Sequence, residues 1–343
     1  MSPRTLSILT ALALALAGCG SGNQVVATPT STTTTTTTVP PATTTTSSPT
    51  TTTAPSTALG RLLETGGYTV SDDWVVETVI PHIDAGTGGI ALDEAGVIYQ
   101  SDFGYSGHDG NSVYRIDAGG SLEVFSQSED FGSLTMITFG ADGRLYQSSY
   151  GTGKVFVLDS EGNPEEIASN LFGPTGIVAL EDGTLFVESY NSNLIHRIEP
   201  DGTVSEWASH PAFNGPNGLT MGPDGTLYAV NHRDGGLFAI DQDGNVTEIH
   251  RFVGTTSHVV YHDGGLFVTG RGRYVIFRYD LGTGAVEVVA GNAEFGDKDG
   301  RGTEASFGRP NAITVGPDGA LYFNHGSRRS PDPVTIRRLV YDP

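Results

Sequence analysis

Apolar and polar residues alternate along most of this chain in short runs, and turns of one kind separate the runs. A small or polar residue opens an apolar strand, an acidic-Gly turn follows, and a second apolar strand comes after it. GPNGLTMGPDGTLYAV, from Gly215 to Val230, shows the phrase most clearly. It occurs six times, with turn glycines at Gly96, Gly143, Gly183, Gly225, Gly264 and Gly319. Alternation with a period of two reads as a half-buried strand, and an acidic-Gly pair between two such runs signals a hairpin. Most copies lie about 40 residues apart, the spacing of four-stranded propeller blades.

Four strands are legible within one period. In the fourth copy, Leu219 to Met221 is strand a, Thr226 to Asn231 strand b, Leu237 to Asp241 strand c and Val246 to Phe252 strand d. The same grammar recurs in VYRIDAGGSLEVF, VFVLDSEGNPEEI, IHRIEPDGTVSEW and FRYDLGTGAVEVV. No stretch carries a sustained helical period. The expected fold is therefore all-β: a six-bladed β-propeller of four-stranded antiparallel blades over residues 66–343. The last copy stops at TIRRLVYDP without a fourth strand, and an unpaired strand, Trp74 to Ile80, precedes the first. Pairing Trp74 to Ile80 with Thr335 to Val340 would complete the last blade, close the ring and remove two exposed sheet edges.

The first residues follow a different pattern. Leu6 to Ala17 is a short apolar run behind Arg4, too short to span a bilayer and suited to a signal sequence over residues 1–18. Its end reads LAGC, which resembles the lipobox of bacterial lipoproteins and implies lipidation of Cys19. Cys19 is the single cysteine, so no intramolecular disulfide can form. From Thr28 to Thr57 the chain is nearly all Thr, Ser, Pro and Ala, a composition that cannot bury a core. Residues 19–65 are expected to be a stalk; fully extended, about 30 residues would span roughly 90 Å. These features place the domain at the bacterial cell envelope, lipid-anchored and exposed on the outer side.

Charge narrows the partners. The chain has 18 Lys and Arg against 39 Asp and Glu, a net charge of −21, and no acidic residue precedes Glu64. A surface this acidic excludes nucleic acid and docking on anionic lipid, and leaves room for cations. The expected domain is a monomer touching the membrane only through Cys19, with a small-molecule, glycan or protein ligand at its rim.

The repeats resemble the six-bladed propellers of the NHL-repeat and SMP-30/gluconolactonase-like kind. The likeness is most specific in AGNAEFGDKDGRGTEASFGRPNAITVGPDGALYF, Ala290 to Phe323, with its Gly, Asp-Gly, Ala-x-Phe and Pro-Asn elements in order. It implies that residues before strand a and after strand b converge at one end of the central channel. Those before strand a are Gly88, Thr135, Thr175, Asn217, Ser257 and Asn311, with His258 as an alternative to Ser257; those after strand b are Asp102, Ser149, Ser189, Asn231, Gly270 and His325, with His232 and Arg271 directly behind. The opposite end would carry the turn aspartates Asp142, Asp182, Asp224, Asp263 and Asp318.

Asn217 in GPNGL is similar to the metal-binding Asn of SMP-30-like lactonases, which also use Glu and Asp; here Gly88 and Ser257 or His258 stand in those places. A divalent cation, Ca²⁺ or a transition metal, would be offered Asn217, Asn311 and Asp102, a thin set beside the 6–8 oxygens that Ca²⁺ takes. The alternative for Asn217 is a polar residue bonding backbone where strand a begins. His232, His258 and His325 could converge as transition-metal ligands or supply a general base, or remain separate polar residues. Glu188, in FVESYNSNLIHRI, resembles a corner of streptogramin-lyase propellers, which use channel-facing Glu and His with a divalent cation but have seven blades; an ion pair with Arg271 or Arg273 is its alternative. Asp297-Lys298-Asp299-Gly300 opens like an EF-hand loop, but Arg301 occupies a ligand position. That insertion, Gly291 to Gly308, is expected on the same rim, plugged by Ala305 and Phe307. The loops with Tyr105 and His108 and with Arg328 and Arg329 complete the rim. Two functions fit: a surface-tethered binding module, favoured by the incomplete lactonase set, and a divalent-metal hydrolase acting on a lactone or ester. A lyase of the streptogramin type is more remote.

Overall fold

In the computed structural model, which describes residues 57–105, 108–326 and 333–343, the six hairpin phrases are the inner halves of six blades. The leader, Cys19, nearly all of the Thr-rich stretch, Arg328 and Arg329 lie outside the described residues. Blade four runs Pro216–Met221, Leu227–Asn231, Gly236–Ile240 and Val246–Arg251, each strand antiparallel to the one before. Blades one to three repeat that order, beginning at Thr87–Leu92, Leu134–Phe139 and Pro174–Ala179. Blade five begins at Val259–His262 and blade six at Arg309–Val315.

The acidic-Gly turns behave as their chemistry requires. Asp224 Oδ1 accepts from Thr226 N at 3.0 Å, and Gly225 between them holds φ at 82°. That left-handed backbone is open to glycine at no steric cost. Asp142, Asp182 and Asp318 make the same bond in their own turns. Blade five has a tighter turn. Its strand a is four residues long and Asp263 itself adopts φ 43°, which accounts for the hairpin being one residue short.

The ring closes through the chain's two ends. Trp74–Ile83 lies antiparallel to Val334–Tyr341, with Val75 opposite Val340, Glu77 opposite Arg338 and Ile80 opposite Ile336. The N-terminal strand thus serves as the fourth strand of blade six. Trp74, Val76 and Leu339 are buried there with Phe267 of blade five and Phe323 of blade six. Closure converts two edges into a ladder and leaves each sheet packed between two neighbours.

Two segments depart from the pattern-based reading. Ala58–Gly66 is an α-helix: Thr57 caps it by accepting from Gly60 N at 3.0 Å, and Gly67 ends it at φ 65°. Leu62 of this helix and Tyr68 after it are buried in the core of blade five, so the folded domain begins before residue 66. One turn's worth of apolar residues beside a Thr-rich tract is too short to show a period. The insertion between blades five and six does not stay at the rim. Ala305 and Phe307 anchor it in the core with Phe323, whereas Gly300–Arg301 adds to the outer edge of Trp74–Ile83. There Asp299 pairs with the buried Arg337 and accepts from Thr78 N at 3.0 Å, so the EF-hand-like acid is an ion-pair partner.

Candidate functional site

Six parallel first strands place six short polar side chains around one end of the channel. Thr87, Thr135, Thr175, Asn217, Ser257 and Asn311, one per blade, line a cavity of about 280 Å³. Blade one contributes Thr87 rather than Gly88. A Cβ on Gly88 would lie 2.7 Å from Leu134 O and 2.4 Å from Ser101 O, so that glycine marks a close approach of backbones.

The six form a belt that crosses every described junction but one. Thr135 Oγ1 donates to Pro174 O at 2.9 Å, and Thr175 Oγ1 donates to Pro216 O at 3.0 Å. Asn217 Nδ2 donates to Ser257 O at 3.2 Å and Ser257 Oγ at 3.1 Å. Ser257 Oγ donates in turn to Asn311 Oδ1 at 2.8 Å, and Asn311 Nδ2 donates to Thr87 O and Gly88 O, both at 3.0 Å. The junction without such a bond is blade one to blade two, where Gly88 has no side chain. Because Ser257 O can only accept, the Asn217 amide nitrogen must face it, which leaves Oδ1 with no hydrogen-bond partner among the described residues.

Residues after strand b divide by parity. Phe103, Tyr150, Tyr190, His232 and Arg271 line the cavity; His232 and Arg271 are the residues named directly behind strand b, while Phe103, Tyr150 and Tyr190 lie one place beyond the expected Asp102, Ser149 and Ser189. The expected positions are tied into loops. Asp102 is fully buried; its Oδ1 accepts from Gly86 N at 2.6 Å and Gly104 N at 2.7 Å, and its Oδ2 meets His108 Nε2 at 2.5 Å. Asn231 Oδ1 accepts from Asn214 N at 2.9 Å, and Ser149 Oγ bonds Gly132 O at 3.0 Å. Asp102 therefore does not join Asn217 and Asn311 as an oxygen donor. A strand points successive side chains to opposite faces, so one residue of register decides between cavity and loop.

The three histidines do not meet. His232 and His258 line the cavity, but His325 is held in blade six, where Nδ1 lies 3.1 Å from Gly308 N and Nε2 lies 3.2 Å from Arg337 Nε, and the neutral ring can accept at one of the two. Burial first, then the positive charge of Arg271, lowers His232 to about 4 and His258 to about 3. Both imidazoles are neutral near pH 7, and Nδ1 of each has no hydrogen-bond partner. Such weak bases suit hydrogen bonding to a ligand better than proton abstraction, which is most efficient with a pKa near the working pH. Glu188 lies below the mouth, wholly buried against Gly176 of its own blade. Burial drives its carboxyl well above the usual range, with the Gly176 backbone a weaker opposing influence, and neither oxygen makes a hydrogen bond of normal geometry. Among the described residues it has no ion-pair partner, Arg271 and Arg273 included.

A divalent cation fits this cavity poorly. The charged residue in its described lining is Arg271, whose Nη1 donates to Asn311 Oδ1 at 2.9 Å, and no described Asp or Glu lines it. Among the described residues, no three His, Cys, Asp or Glu side chains come together in a way that could hold a metal ion. A guanidinium beside two imidazoles repels a cation that three acidic or imidazole ligands would otherwise attract.

A second polar layer beneath the mouth escaped the pattern-based reading. Asn324 Nδ2 donates to Gln100 Oε1 at 2.8 Å across the closure, and Ser101 Oγ donates to Gln147 Oε1 at 2.5 Å. Its signal is the repeated phrase IYQSD and LYQSS, a Gln followed by further polar residues in a fully buried strand.

Fold and cavity together define a six-bladed propeller with a cavity lined from all six blades, Arg271 being the charged residue of its described lining. The chain belongs to the virginiamycin B lyase family, whose model matches residues 73–260, from the closing strand to the first strand of blade five. No curated protein sequence matches it. Among solved structures, virginiamycin B lyase from Staphylococcus aureus is similar at 18% identity and a TM-score of 0.53, covering 78% of this chain and 99% of that one. A gluconolactonase from Xanthomonas campestris is similar at 16% identity and a TM-score of 0.58, covering 77% and 89%. An auxiliary nutrient binding protein from Bacteroides ovatus is similar at 14% identity and a TM-score of 0.63, covering 78% and 76%. Identities this low speak for the fold alone.

Proposed function

We propose that this protein is a ligand-binding propeller of the bacterial cell envelope that takes a small molecule into the mouth lined by Asn217 and Asn311. One observation carries the reading: the mouth is built from neutral donors and acceptors on six blades, with Arg271 as its charged described lining residue. Groups of this kind orient a ligand by hydrogen bonds. The LAGC leader and the Thr-rich tract support placement outside the membrane, with Cys19 as the lipid anchor and the tract as a stalk. The nutrient-binding neighbour supports a soluble small ligand.

The test is a thermal-shift screen of the soluble domain against metabolites and oligosaccharides, with EDTA present. A ligand that binds only the native state raises the midpoint in proportion to its concentration over Kd. The expected result is a hit recovered chemically intact and lost in Asn217→Ala. Conversion of the hit to product would sink the pure binding reading.

A second reading, a lyase or a hydrolase of lactones or esters that uses a divalent cation, is supported by the family match and by Asn217 in the cavity lining. It predicts turnover that EDTA abolishes.

A further inference from the structure

The residues one place beyond strand b give the mouth two unlike walls. On blades one to four they are Phe103, Tyr150, Tyr190 and His232, and their rings form a continuous arc. The centroid separations are 6.0 Å from Phe103 to Tyr150, 6.0 Å from Tyr150 to Tyr190 and 6.0 Å from Tyr190 to His232. Four equivalent positions in four different blades carry a planar ring. Phe103 remains 39% exposed although the rest of its blade's inner strands are buried. Arg233 sits over the Tyr190 ring at 4.7 Å, holding that ring in place from the side. On blade five the same position is Arg271, flanked by Ser257 and by Asn311 of blade six.

Resting on the binding reading above, we propose that the ligand is a small aromatic carboxylate, its ring against the Tyr150–Tyr190 arc and its carboxylate toward Arg271. Ring on ring is the packing that aromatic side chains favour beyond their buried area. The far wall answers with the Arg271 guanidinium, with no described Asp or Glu in the lining to repel an anion. The positive field of Arg271 and Arg233, which already bears on His232, attracts a carboxylate in a protein whose net charge of −21 would otherwise repel one. A cavity of about 280 Å³ has room for a single-ring acid. The Asn217 Oδ1 acceptor can also meet a ring hydroxyl or an amide N–H on the same ligand.

The experiment is calorimetry on the soluble domain with phenylacetate and 4-hydroxyphenylacetate as probes, beside cyclohexylacetate, phenylacetamide and phenethylamine. The two aromatic acids are expected to bind tightest. Tyr190→Leu, which keeps an apolar wall but removes the ring, should weaken them by about tenfold, the scale of one aromatic pair. Arg271→Gln should bring phenylacetate down to the affinity of phenylacetamide. Binding below pH 6 should also take up protons, because an anion beside His232 and His258 favours their charged forms; titrations in buffers of different ionisation heat read this directly. Melting of both variants without ligand shows whether they fold. Equal binding of cyclohexylacetate, tighter binding of phenethylamine, or no binding of either aromatic acid overturns the proposal. A saccharide or peptide that binds in an Asn217-dependent way while the aromatic acids do not would sink this inference and leave the general binding reading standing.

Discussion

Asn217 bonds outside its own blade: its Nδ2 donates to the backbone oxygen of Ser257, 3.2 Å away on blade five. This bond is one link of the belt that passes through Thr135, Thr175, Ser257 and Asn311. The residue that most resembles a metal ligand is therefore also a structural clamp between blades. Replacing Asn217 by Ala should cost the free protein about 1 kcal/mol, the usual net worth of such bonds. That corresponds to a fall of roughly 2–4 °C in the melting temperature of a domain this large or somewhat smaller. Thr175→Val, which keeps the shape and removes the donor to Pro216 O, should act in the same direction. A free protein whose melting is untouched by either change would refute the belt as a stabilising element.

The architecture was legible because repetition averages out local error. The acidic-Gly turns, the period, and the pairing of Trp74 to Ile80 with the last strand all follow from pattern alone. The mouth was legible only in part. The position before strand a is announced by GPNGL and its degenerate copies, and five of the six lining residues there follow from it. Beyond strand b no turn motif marks the end of the strand. The choice between Asp102 and Phe103, or Ser189 and Tyr190, hung on one residue of pleat. His325 illustrates what a sequence cannot display: its partners, Gly308 and Arg337, come from an insertion and from the last strand.

Glu188 should weaken the fold at neutral pH. Its folded pKa lies above its unfolded value, so between about pH 4.5 and the folded pKa the native state holds the extra proton and stability falls as pH rises. Glu188→Gln keeps the shape without the ionisable group. It should match the parent near pH 4 and exceed it increasingly above that, by up to about 1.4 kcal/mol per pH unit until the folded pKa is reached. Urea unfolding at pH 4, 6 and 8 is the measurement. A constant difference between the two proteins across that range would rule out a buried, protonated carboxyl.

Arg337 is 1% exposed, and its charge is answered by Asp299 from the insertion. Removing the partner leaves a cation in the interior, which costs about 3–5 kcal/mol when both members are buried; Asp299 is 48% exposed, so the cost here falls below that range. Asp299→Asn should therefore destabilise, whereas Asp297→Asn, whose carboxylate acts on Arg337 through charge without a direct ion pair, should cost less. Chemical denaturation of the two variants separates them. Equal small effects would mean that the insertion does not pin blade six.

Acid should unfold this protein in two windows, and the first belongs to histidines. His232, His258 and His325 have folded values of about 4, 3 and 3, all below the ordinary 6.5. Below pH 6.5 the unfolded chain takes up protons that the folded chain refuses, so stability is complete above that pH and declines toward pH 4. Each group adds up to about 1.4 kcal/mol per pH unit to the slope. The turn aspartates Asp142, Asp182 and Asp224 have lowered values and act only below about pH 4. His258→Leu removes one group whose Nδ1 has no partner to lose. The variant should show a slope shallower by one proton between pH 4.5 and 6, with the aspartate window unchanged. Stability curves of parent and variant that stay parallel through that interval would show that His258 is not held neutral by burial and by Arg271.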